Sequence, residues 1–110
     1  MRDYLEAIGY QVELARNGPE GLISAGSFQP QLILMDLQMP GMNGFTTTQR
    51  LRSLPEFLHT PIIALTAMAM PGERERCLEM GMNEYISKPV NLRELEALIT
   101  QHIQKESTLK

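Results

Sequence analysis

Apolar and polar residues alternate along this chain in blocks of two periods. Tyr4, Leu5 and Ile8 recur at helical spacing and stop at Gly9, which predicts the last turns of an amphipathic helix over residues 2–8. From Tyr10 to Ala15 the period drops to two, with Tyr10, Val12 and Leu14 set against Gln11 and Glu13, the pattern of a strand with unlike faces. Asn17, Pro19 and Glu20 then mark a helix start, and Leu22, Ile23 and Phe28 are its expected core face. Leu32-Ile33-Leu34-Met35 and Ile62-Ile63-Ala64-Leu65 are unbroken apolar runs, read as buried strands over 31–36 and 61–66. Between them, 43–53 reads as a helix capped by Asn43, with Phe45 and Leu51 facing the core. Its three threonines are poor helix formers, so packing has to hold it. A charged helix over 71–80 ends at Gly81, a short strand covers 84–87, and Asn91 with Glu94 opens a last helix. That helix carries an apolar stripe of Leu92, Leu95, Leu98, Ile99 and Ile103. Alternating strands and helices predict an α/β fold, a parallel sheet built of right-handed βαβ units.

The 110 residues suit one domain, expected over 1–105, with a polar tail at 106–110. A net charge of −3 gives no basic surface for nucleic acid. No apolar run approaches the ~18 residues of a membrane span, and no signal-peptide core follows Met1, so a cytoplasmic setting is expected. The single cysteine, Cys77, excludes an internal disulfide and reads as a small buried hydrophobe. His59 and His102 read as surface or satisfied residues.

The chemistry concentrates at strand ends. Asp36, Thr66 and Lys88 each end or directly follow a strand-like run, and in a parallel sheet those carboxyl ends share one edge. Singly, each has an ordinary reading: a turn-forming aspartate, a strand-end threonine, a solvated lysine. Together they place a carboxylate, a hydroxyl and an ammonium at one locus. The sequence offers no Ser–His or Cys–His pairing, no second carboxylate for glycosidase chemistry and no glycine-rich phosphate loop after a strand. A carboxylate nucleophile beside a lysine and a hydroxyl suits phosphoryl transfer to aspartate, with positioning and charge neutralisation as the catalytic means.

The segments 34–44 (Leu34-Met35-Asp36-Leu37-Gln38-Met39-Pro40-Gly41-Met42-Asn43-Gly44), 61–67 (Pro61-Ile62-Ile63-Ala64-Leu65-Thr66-Ala67) and 85–89 (Tyr85-Ile86-Ser87-Lys88-Pro89) together resemble the receiver domain of two-component response regulators. The likeness runs from about residue 1 to 103 and is greatest to receivers attached to hybrid histidine kinases. The resemblance implies a doubly wound, flavodoxin-like sheet and a phosphorelay function. Asp36 would accept a phosphoryl group from a phosphohistidine on a histidine kinase or histidine phosphotransfer domain. Thr66 and Lys88 would contact the phosphoryl oxygens, and Tyr85 would be the aromatic switch that follows Thr66. The backbone carbonyl of Gln38 would join Asp36 in holding Mg²⁺, and Lys88-Pro89 would be a cis peptide. Pro40 and Gly44 would shape the loop, Gly44 by admitting a close backbone approach. The chain would not be an enzyme, beyond assisting its own aspartyl phosphorylation and dephosphorylation.

Members of that family begin with a strand ending in an acidic pair that holds Mg²⁺. Here 35 residues precede Asp36 and the first of them already match the family's first helix. Asp3 and Glu6 lie on that helix remnant and are poor substitutes. The resemblance therefore implies a receiver lacking its first strand and acidic pair, with weak Mg²⁺ binding. Its sheet edges would be open, favouring a homodimer or other self-association. The alternative is a degenerate receiver acting as a phosphorylation-independent interaction module.

Overall fold

A computed structural model describes residues 2–12, 18–37, 44–67 and 71–107. Its elements are α1 (Arg2–Ala7), α2 (Gly18–Phe28), β1 (Ile33–Asp36), α3 (Gly44–Arg52), a 3₁₀ turn (Pro55–Phe57), β2 (Ile62–Thr66), α4 (Glu73–Glu79), β3 (Glu84–Ser87) and α5 (Leu92–Ser107). The strands form one parallel sheet in the order β1-β2-β3. Register pairs Asp36 with Leu65 and Thr66 with Ser87, which aligns the three carboxyl ends.

The unbroken apolar runs have a structural cause. All five residues of β2 are buried, because helices cover both faces of the sheet. Ala64 and Ile62 join Leu51, Phe57, Cys77 and Met82 in one core, while Ile63 and Leu65 join Leu5, Ile86, Leu95 and Ile99 in the other. Full burial of each large side chain here contributes about 1.5–3 kcal/mol. The threonine-rich α3 is held as its composition required, with Thr47, Thr48 and Leu51 buried.

Glycines and caps set the element ends. Gly9, Gly72 and Gly81 take positive φ, at 106°, 82° and 102°, and Gly81 stops α4 as the sequence predicted. Asn91 Oδ1 accepts the backbone N–H groups of Arg93 (3.0 Å) and Glu94 (3.1 Å), an N-cap on α5. The proposed caps Asn17 and Asn43 lie outside the described residues.

Three expectations need correction. Tyr10–Val12, the described part of the predicted 10–15 strand, is in no ladder; residues 13–15 lie outside the description. A two-faced pattern makes a strand only beside a partner, and no described strand lies there. Ile23 and Phe28 are exposed, at 75% and 38%, so they are not the core face of α2. Ala25, three residues from Leu22, takes that place in the helical register. His102 is not satisfied: its buried Nε2 has no hydrogen-bond partner among the described residues and stands 3.6 Å from a Glu84 carboxylate oxygen. His59 is exposed, as expected.

Candidate functional site

Asp36 ends β1 and Lys88 follows β3, and their side chains meet across the carboxyl edge of the sheet. Lys88 Nζ donates to Asp36 Oδ2 at 2.6 Å, with both side chains about one-third exposed. Thr66, at the end of β2 between them, is fully buried. Its carbonyl accepts the Lys88 backbone N–H at 2.6 Å, which fixes the start of the lysine segment against β2. The Lys88–Pro89 peptide is cis. The trio read from the sequence thus shares one locus: a carboxylate, a cation on it, and a hydroxyl-bearing residue at the adjacent strand end.

The backbone around Asp36 is closely packed. Leu37 N–H donates to Leu65 O at 2.9 Å, carrying the ladder one residue past the aspartate. A Cβ on Gly44 would lie 3.0 Å from Asp36 O, 3.0 Å from Leu37 Cα and 2.9 Å from Leu37 Cδ2. Only glycine lets α3 start this close to the aspartate strand. Gln38 and Pro40 lie outside the described residues.

Tyr85 lies on β3, half-buried against the core that contains Cys77 and Met82. Its hydroxyl donates to Glu73 Oε1 on α4 at 2.8 Å. Burial, then the Glu73 hydrogen bond and charge, push the phenol up to about 12, so the ring stays neutral at ordinary pH. Glu73 is a partner that sequence reasoning missed. It is twelve residues from Tyr85 with a turn between, and no spacing rule joins a helix start to a following strand. Arg76, on the same helix, lies over the Phe45 ring at 4.3 Å from its centroid and links α4 to α3. Cys77 is fully buried and its thiol is raised mainly by burial, in keeping with a packing role.

No group of three or more His, Cys, Asp or Glu side chains that could hold a metal occurs among the described residues, and Asp36 is the carboxylate that the trio supplies. One carboxylate together with phosphoryl oxygens meets the low end of what Mg²⁺ accepts.

The parallel α/β sheet, with this trio at its carboxyl edge, is that of a flavodoxin-like domain. The family model for the response regulator receiver domain matches residues 1–100. The polar-differentiation response regulator DivK of Brucella anthropi is 45% identical over 91 residues, spanning 83% of this chain and 74% of that protein. The receiver domain of the sensor histidine kinase PA1611 from Pseudomonas aeruginosa, solved with magnesium in its active site cleft, is 37% identical. It superposes with a TM-score of 0.85 over 94% of this chain and 84% of that one. A CheY-like receiver domain protein from Methanospirillum hungatei gives 0.87 at 28% identity, over 99% and 86% of the two chains. This chain belongs to the response regulator receiver domain family of two-component signalling.

Proposed function

We propose that this chain is a phosphoacceptor in a phosphorelay, taking a phosphoryl group from a phosphohistidine of a histidine kinase or histidine phosphotransfer domain onto Asp36. The observation that carries this reading is the 2.6 Å contact between Lys88 Nζ and Asp36 Oδ2, beside buried Thr66. An Asp36 oxygen attacks phosphorus while the P–N bond breaks and its electron pair returns to the imidazole nitrogen. The product is an acyl phosphate. Lys88 offsets the charge on the phosphoryl oxygens, and the Thr66 hydroxyl donates a hydrogen bond to one of them. Movement of Thr66 toward the phosphoryl group opens space for Tyr85, which then leaves Glu73 and turns inward. Asp36, with the Gln38 carbonyl, would hold Mg²⁺ weakly; when bound, the ion supplies further neutralisation of phosphoryl charge. The chain acts on no separate substrate and works in the cytoplasm. No described helix is long and apolar enough to cross a membrane.

The test is Mg²⁺-dependent labelling by a small acyl-phosphate donor, read by intact mass. One phosphoryl group is expected on the native chain, none on Asp36→Asn, and at least about tenfold slower labelling on Lys88→Ala, since lost charge stabilisation of this kind costs factors of that order or more. Label that persists on Asp36→Asn overturns the assignment. No label on the native chain, with kinase binding unchanged by Asp36→Asn, would instead establish the interaction-module reading.

A further inference from the structure

The Tyr85 side chain is held both at its ring and at its hydroxyl. Register sets Ala64 beside Tyr85 and Thr66 beside Ser87. Side chains two apart along a strand share a face, so Tyr85 stands on the same face of the sheet as Thr66. Ala64 and Cys77 of α4 belong to one core, and the Tyr85 ring packs against it. The ring is therefore seated under α4, one strand over from the row that ends in Thr66. The one polar atom of the side chain donates to Glu73 Oε1 at 2.8 Å. Glu73 is the first residue of α4, and Gly72 before it, at φ 82°, gives the helix no side-chain cap. A carboxylate acceptor makes such a bond roughly twice as strong as a neutral pair would. Burial, and then the Glu73 bond, keep the phenol protonated at ordinary pH, so the donor is always present.

We propose that Glu73 is a positioning residue that opposes phosphorylation of Asp36. It holds the Tyr85 hydroxyl on α4 and so keeps the ring out of the space that Thr66 leaves when it moves. The inference rests on the phosphoacceptor reading. The Tyr85–Glu73 bond exists only in the arrangement of this structure and breaks when the ring turns inward, so it stabilises one of two states and not the other. The phosphorylated state is reached with loss of this bond, and by linkage the ratio of phosphorylated to unphosphorylated chain falls by the corresponding factor. Removing the Glu73 carboxylate leaves the acceptor, the cation and the hydroxyl-bearing residue of the site in place, because Asp36, Lys88 and Thr66 are held by their own strands. A shielded hydrogen bond to a charged group is worth a factor of about ten or more. Tyr85 is half-buried, and a factor of about three to ten is expected.

The experiment uses the full 110-residue chain with Mg²⁺ and a small acyl-phosphate donor at a sub-saturating concentration. The ratio of phosphorylated to unphosphorylated chain is read by intact mass. Glu73→Ala is expected to raise that ratio about threefold to tenfold, and Glu73→Gln, which keeps a neutral acceptor, to raise it by less. Tyr85→Phe, which keeps the ring and loses only the hydroxyl, is expected to raise it as Glu73→Ala does. The double variant should rise no further than either single one, because both remove the same bond. Glu75→Ala removes an exposed carboxylate from the same turn of α4 and should leave the ratio at the native value. An unchanged ratio in Glu73→Ala, with the native chain labelled on Asp36, overturns this inference alone. So does a rise with Glu73→Ala that persists in full on the Tyr85→Phe background, since Glu73 would then act through its charge and not through the phenol. A native chain that takes no label overturns the phosphoacceptor reading and this inference with it, so the native chain tells the two failures apart.

Discussion

Arg52 holds three segments together through its guanidinium. Its Nη1 donates to Phe57 O (2.6 Å) and Thr60 O (2.7 Å), and its Nε and Nη2 donate to Gly81 O (2.9 and 2.8 Å). A further bond runs to Asn83 Oδ1 at 3.0 Å, the oxygen that also accepts Ile62 N–H at 2.9 Å. One planar guanidinium therefore ties the end of α3 to both segments that launch β2 and β3. Lysine cannot reproduce that fork. Arg52→Ala is expected to destabilise by about 2–4 kcal/mol, since several carbonyls lose their donor together. Arg52→Lys should recover less than half of the loss. Urea midpoints at unchanged m-value check both. Tyr85 gives a second prediction at this scale. Its folded pKa, about 12, lies above the free value of 10, so the neutral ring stabilises the fold fully below pH 10. That contribution is lost as pH rises from 10 to about 12. Tyr85→Phe, which cannot ionise, should decline less over that window in chemical denaturation; an equal decline would show that Tyr85 does not carry it.

At the scale of elements, local signals explain which parts of the fold were legible. The apolar runs at 32–35 and 62–65 could only be strands covered on both faces, and polar residues at their ends marked the edge that holds Asp36 and Thr66. Gly81 and the Asn91 cap are likewise chemistry within a few residues. What escaped depends on distance in space. Nothing in residues 10–15 tells whether a neighbouring strand exists to pair with them. Ile23 looked like core because α2 has few polar residues to orient it, and only packing on α3 selects Ala25. The Tyr85–Glu73 and Arg52 contacts join elements whose relative placement no periodicity fixes. Gly44 was legible by type, as a glycine in a tight loop, but its partners were not. They give a prediction about α3: Gly44→Ala must push Leu37 and the Asp36 carbonyl away from contacts near 3.0 Å. Overpacking of this sort costs about 1–3 kcal/mol. Thermal unfolding should show that loss. Phosphoryl labelling of the folded fraction should also slow, because the displaced backbone carries the acceptor carboxylate.

At the scale of the whole molecule, the cavity lined by α2 and β1 bears on how copies meet. Among the described residues the cavity leaves apolar side chains uncovered, which favours association with other chains. Association among copies is expected to be apolar, with contact near Phe28, which is 38% exposed and lines the cavity. Light scattering is expected to show apparent mass rising with concentration. Phe28→Ser should lower that mass, because it removes apolar area at the mouth while leaving β1 unchanged. Mass that rises equally with Phe28→Ser would place the self-association surface elsewhere on the molecule.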